Sequence, residues 1–105
     1  MKQVMVRYKV KPERAEENEE LVRAVYAELR RTEPAGIRYA TFQLEDGVSF
    51  VHLSSTETED GHNPLSETKA FKEFLKDIGD RCDEAPVATE VREVGSFRAF
   101  GDSSA

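Results

Sequence analysis

Hydrophobic residues along this chain switch between strand period and helix period, and the order of the switches narrows the possible folds most. Val4, Val6, Tyr8 and Val10 alternate, as one face of a half-buried strand requires. Val22, Val25, Tyr26 and Leu29 then recur at the spacing of one helix face. Two alternating stretches flank Asp46-Gly47. Phe71, Phe74, Leu75 and Ile78 return to the helix period, and Val87 to Val94 alternates again. The order β-α-β-β-α-β is that of a ferredoxin-like α+β domain, a four-stranded antiparallel sheet with two helices on one face. Such a fold hosts many unrelated activities, so function has to be argued from particular side chains.

With 105 residues the chain is read as a single domain over 1–105, its ordered core expected at about 3–98 and the tail 99–105 expected to be flexible. Hydrophobic residues make up 38% and charged residues 34%, yet the apolar ones fall at helix and strand periods, which argues against disorder. A net charge of −6 argues against nucleic acid, whose binding needs clustered Lys and Arg. No apolar run approaches a membrane span, and MKQVMVRYKV alternates from its start with no signal-peptide core. The single cysteine, Cys82, allows no intrachain disulfide. These features suit a soluble, cytoplasmic protein.

Pro12 fits a first helical turn. The acidic run from Glu13 to Glu20 and the late Arg30 and Arg31 complement the helix dipole, and Glu19 lies four residues before Arg23. That acidic face suits solvent, or more remotely a basic partner. Asp46-Gly47 predicts a two-residue primed turn, pairing Glu45 with Val48, Phe42 with Val51, Thr41 with His52 and Tyr39 with Ser54. One hairpin face then holds Ala40, Phe42, Leu44, Ser49, Val51 and Leu53, and its apolar character places it under the helices. The other holds Ile37, Tyr39, Thr41, Gln43, Phe50, His52 and Ser54, and is expected to be covered by a second copy of the chain. A long polar connection, 54–64, ends at Asn63-Pro64, an N-cap and first-turn pair. A helix is expected from there to about Ile78, with Gly79 as its stop. Cys82–Pro86 reads as a loop.

His52 is the sharpest catalytic candidate, a mid-strand histidine among Phe50, Thr41 and Tyr39. Shielded from water it could act as a general base while Tyr39 orients the substrate. Its plainer reading is an interior histidine hydrogen-bonded to Thr41 across the strand pair. His62 is a second candidate and Asn63 a ligand contact, since both lie on the loop bordering the expected pocket mouth. Glu57, Glu59, Asp60 and His62 have no metal-site spacing, so no metal is assigned. Cys82 has Arg81 beside it but Asp80, Asp83 and Glu84 around it, a poor setting for a nucleophile. No GxGxxG is present.

The opening VMVRYKVKPE, the Phe50-Val51-His52-Leu53 strand after a tight hairpin, and Pro64-Leu65 followed by Phe71 and Phe74 resemble the antibiotic-biosynthesis-monooxygenase-like group of dimeric α+β barrel proteins. Val91-Arg92-Glu93-Val94-Gly95-Ser96-Phe97 is similar to that group's final strand. The resemblance implies two subunits laying their sheets together. It also implies oxidation of phenols or quinols by molecular oxygen without metal, flavin or other cofactor. The chain departs from the group in having no Trp, and the histidine that many members carry near the start of the second helix falls near Leu65. Haem degradation, which uses an Asn–Trp–His set, is therefore not expected.

The expected function is a cofactor-independent monooxygenase-like enzyme acting on an aromatic or quinol-type compound. Its pocket is expected between sheet and helices, lined by Phe42, Val51, Leu53, Phe71 and Phe74. The alternative is a non-catalytic dimeric protein that binds a small ligand or supports another enzyme, favoured by the absence of an obvious acid–base set.

Overall fold

The computed structural model describes residues 2–99, so residues 100–105 of the expected tail lie outside the described residues. Strand β1 (Lys2–Val10) leads through a 3-10 turn (Pro12–Arg14) into α1 (Ala15–Thr32). Strands β2 (Ile37–Gln43) and β3 (Ser49–Thr56) follow, then a 3-10 turn (Pro64–Glu67), α2 (Lys69–Leu75), the short α3 (Ile78–Arg81) and β4 (Cys82–Val91). The sheet is antiparallel throughout, in the order β2-β3-β1-β4. This is the ferredoxin-like arrangement expected from the periods.

The hairpin pairs as the sequence predicts, Phe42 opposite Val51 and Thr41 opposite His52. The turn differs. Asp46 does not take the positive φ a type I′ turn needs; only Gly47 does, at φ 78°. The Gly47 amide donates to Leu44 O at 3.0 Å, and the Leu44 amide donates to Ser49 O at 2.8 Å. The loop is therefore longer than two residues, but it keeps the same pairing because one residue is added on each side. The Asp46 carboxylate holds it by accepting from the amides of Val48 and Ser49 and from the Ser49 hydroxyl. These three donors push the Asp46 carboxyl down to about 2.

The assignment of faces is corrected. Tyr8, Val10 and Phe50 are buried with Val25 of α1, Phe74 of α2 and Leu65. His52 is buried on the same face, so α1 and α2 of the same chain cover the Tyr39–Phe50–His52 face. The opposite face carries Met5, Ala40, Phe42, Val51, Leu53 and Val87; none belongs to the buried core, and Val87 is 64% exposed. Counting apolar residues chose wrongly because the polar atoms of the mixed face pair with one another and so tolerate burial.

The second helical stretch is also broken rather than continuous. Asn63 caps only the 3-10 turn, accepting from the Leu65 amide at 3.0 Å. Thr68 then caps α2 through the Phe71 amide at 3.2 Å. Lys76 is extended and Asp77 left-handed, which ends α2 before Ile78, and Gly79 lies inside α3 rather than stopping a helix. From α1, the Glu28 carboxylate accepts from the amides of Lys69 and Ala70, tying the start of α2 to its neighbour. Cys82–Pro86, expected as a loop, begins β4. The pairing with β1 shifts between Arg7↔Val87 and Lys9↔Glu84, and Pro86, which has no N–H to give, falls in that irregularity. Residues 92–97, expected as strand, lie beyond β4, with Val94 and Phe97 exposed.

Candidate functional site

Beneath the helices a line of polar side chains crosses the apolar core. It starts at Arg81, only 1% exposed, at the end of α3. The guanidinium donates to the carbonyls of Phe74 (2.8 Å) and Lys76 (3.3 Å) at the end of α2, where a cation meets the negative end of the helix dipole. It lies 5.2 Å from the Phe74 ring centroid, and its Nε donates to Asn18 Oδ1 at 3.1 Å. Asn18 sits on α1 in the row of Leu21, Val22, Val25 and Leu29, the stripe that faces the sheet. Its Nδ2 donates to the Tyr8 hydroxyl at 2.9 Å.

From Tyr8 the line passes to β3 and then β2. The Tyr8 hydroxyl and His52 Nε2 lie 2.8 Å apart, and the Tyr39 hydroxyl and His52 Nδ1 lie 2.5 Å apart. Thr41 Oγ1 lies 3.2 Å from the same Nδ1, and the Tyr26 hydroxyl lies 2.7 Å from Thr41 Oγ1. Period-2 alternation explains the convergence, since Tyr39 and Thr41 share a face of β2, and His52 stands opposite Thr41. Aromatic rings pack around the imidazole: Tyr8 at 5.3 Å, Phe74 at 5.4 Å and Tyr39 at 5.7 Å between centroids. Tyr26 and Tyr39 stack at 5.2 Å.

Burial sets the protonation states. It pushes His52 down to about 4, so the ring is neutral at physiological pH. It pushes the Tyr8 and Tyr39 phenols well above their usual range and Tyr26 up to about 12, so all three stay protonated. The relay thus consists of neutral groups anchored at one permanent cation. It can hold and orient hydrogen bonds, whereas His52, with both ring nitrogens engaged, has no nitrogen left for direct attack on a substrate proton.

Beyond the Tyr26–Tyr39 pair, a cleft of about 470 Å³ opens between α1 and the edge strand β2, within the size range of small-molecule sites. Tyr26, Tyr39, Thr41 and Phe50 line it, with Arg23 and Arg30 at its rim. Arg30 lies 5.9 Å from the Tyr26 ring centroid, and Arg23 pairs with Glu19.

Of the residues singled out from sequence, His52 and Tyr39 meet as expected, and Thr41 partners His52 as the plainer reading required. The expected lining set is split. Phe71 and Phe74 stack at 5.9 Å inside the helix–sheet layer, while Val51 and Leu53 point to the other side of the sheet. Phe42 also lies on that side, although it borders the cleft at the sheet edge. His62 is exposed, its Nε2 2.8 Å from the Glu67 carboxylate, and Asn63 serves as a cap; neither joins the relay. Cys82 is half-buried, and burial raises its thiol, the reverse of nucleophile activation. Among the described residues, no three of His, Cys, Asp and Glu gather as a metal site, and no helix is long and apolar enough to cross a membrane. Tyr8, Asn18, Tyr26 and Arg81 escaped sequence reasoning. Asn18 left a signal, an amide continuing the apolar stripe of α1; Arg81, in a four-residue helix, left none.

Known proteins share the family and the fold of this chain. The family model described as antibiotic biosynthesis monooxygenase matches residues 1–77. A solved structure from Caulobacter crescentus CB15, named as a candidate antibiotic biosynthesis monooxygenase, is 25% identical, with 90% of each chain covered and a TM-score of 0.68. A similarly named protein from Nitrosomonas europaea is 20% identical, with 89% of each chain covered and a TM-score of 0.71. PA3566 from Pseudomonas aeruginosa is 18% identical, covering 90% of this chain and 94% of its own, with a TM-score of 0.72. No curated protein matches the sequence.

Proposed function

The chain belongs to the antibiotic biosynthesis monooxygenase family, and from that premise we propose that it is a cytoplasmic homodimer oxidising an aromatic phenol or quinol with molecular oxygen. The observation that carries this reading is the cleft at the β2 edge, where the stacked Tyr26 and Tyr39 hydroxyls meet the His52 relay. A planar ring fits beside the stacked tyrosines, and their protonated hydroxyls can bind a phenolic or carbonyl oxygen. In the reaction one atom of dioxygen enters the ring as a carbonyl. The other leaves as water, taking the two hydrogens lost from the ring carbon and the phenolic hydroxyl. The substrate supplies the electrons, so no cofactor is required. Tyr26 and Tyr39 stabilise negative charge developing on the substrate oxygen. His52 acts through Tyr39, fixing its hydroxyl, while the surrounding rings limit access of water.

The homodimer reading rests on the open sheet face. Met5, Phe42, Val51, Leu53 and Val87 form an apolar surface, of the kind that marks a contact between chains. A second copy applied there would cover both faces at once.

Oxygen consumption tests the reading. The protein, supplied with 1-naphthol and with substituted hydroquinones, is expected to take up one dioxygen per quinone formed, without added metal or flavin. Binding of these compounds with no oxygen uptake would instead support a ligand-binding protein. One observation favours that second reading: a neutral histidine and protonated tyrosines suit hydrogen-bonded recognition better than proton abstraction.

A further inference from the structure

The relay has a direction, and Arg81 sets it. An arginine side chain can only donate. Its Nε–H therefore requires the oxygen of the Asn18 amide to face it, which turns Asn18 Nδ2 toward Tyr8, as found at 2.9 Å. The Tyr8 oxygen thus receives a proton from Asn18. Its own O–H is buried, with Tyr8 2% exposed, and its one remaining partner in the relay is His52 Nε2 at 2.8 Å. A buried hydroxyl proton without an acceptor is costly, so Tyr8 donates to Nε2. The ring is neutral, which places its single proton on Nδ1.

Counting protons then fixes what reaches the cleft. Tyr39, Thr41 and Tyr26 contribute three hydroxyl protons. One is used by the contact Tyr26–Thr41. The contacts of Tyr39 and Thr41 with Nδ1 both take their proton from the imidazole. At least one hydroxyl proton of the three is left over, and all three residues line the cleft. Were the proton on Nε2 instead, Nδ1 would accept, all three protons would be used internally, and none would be presented.

We infer that Arg81 and Asn18 are positioning residues that orient the whole relay, so that the cleft offers a hydroxyl donor and selects ligands bearing an acceptor oxygen, a ketone or a phenolate. This rests on reading the β2-edge cleft as the ligand site, and it assigns a role to two residues that never touch the ligand.

The substitution Asn18→Asp tests the direction with almost no change of shape. A carboxylate accepts from Arg81 and also from Tyr8, so Tyr8 must turn its proton toward residue 18 and accept from Nε2–H. Nitrogen-15 NMR of the histidine ring reads the tautomer directly. The unmodified protein is expected to carry the Nδ1–H form, and N18D the Nε2–H form. Affinity for 1-tetralone, a ketone acceptor, is expected to fall about tenfold in N18D, the loss of one hydrogen bond. Affinity for tetralin, which lacks the oxygen, is expected to stay unchanged. An Nε2–H signal in the unmodified protein, or Nδ1–H persisting in N18D, overturns the inferred direction without involving the variant's activity. A tautomer switch with equal tetralone binding overturns the selection of acceptor ligands. Binding of neither compound removes the cleft as ligand site, and with it the proposed oxygenase reading, while the tautomer result still decides the role of Arg81 and Asn18.

Discussion

Acidification should destabilise this protein through His52 over a defined pH window. The ring is buried, and desolvation lowers its pKa from 6.5 to about 4. Between these values the unfolded chain binds a proton that the folded chain does not, so stability is complete above about 6.5 and declines as pH falls toward 4. From pH 7 to pH 5 the linkage relation gives a loss of about 2 kcal/mol, approaching about 3 kcal/mol below pH 4. For a domain of this size 2 kcal/mol corresponds to roughly 8–16 °C in melting temperature. Thermal unfolding followed by circular dichroism, at pH 7, 6 and 5, reads this out. Carboxylates titrate too, so the decisive quantity is the difference from His52→Gln, which has no titrating ring and should lose less over the same interval. Equal losses in the two proteins would refute the argument that burial holds His52 neutral.

Other perturbations probe the scaffold around the relay. Phe74→Ala removes a ring packed on Tyr8, His52 and Phe71 and is expected to cost about 3–5 kcal/mol in urea unfolding. Thr68→Ala removes the cap of α2 and should cost about 1 kcal/mol by the same assay. Gly36 and Gly47 both have positive φ, so alanine at either should cost about 1–2 kcal/mol. At Gly36 the new Cβ would also lie 2.7 Å from Thr58 Cγ2, whereas nothing lies within 4 Å at Gly47. Gly36→Ala is therefore expected to be the worse of the two, with Thr58→Ser recovering the difference.

The sheet was legible because alternation is a local property. The periods around Tyr8, His52 and Val87 gave strand order and type, and the hairpin register survived a different turn because the turn widened symmetrically about Asp46-Gly47. Which face met the helices was not legible. That choice depended on Tyr8, His52 and Tyr39 satisfying one another's polar atoms, a contact between β1, β2 and β3 that no single window contains. The break at Asp77 was similarly hidden, since Phe71, Phe74, Leu75 and Ile78 keep a helical spacing although the backbone turns left-handed between them. His52 and Tyr39 were found because alternation and the hairpin register put them on one face of the β2–β3 pair. Arg81 was missed because its partners, Asn18 and the end of α2, come from distant or irregular segments.

Mapping an aromatic ligand onto the protein tests the central claim most directly, that the relay ends at a ligand cleft on the β2 edge. Titration of labelled protein with 1-naphthol, followed by amide and aromatic NMR shifts, is expected to perturb Tyr26, Tyr39, Thr41 and Phe50 together with the His52 ring. Shifts confined to the open sheet face around Val51, Leu53 and Val87, or to the loop at His62 and Asn63, would contradict it.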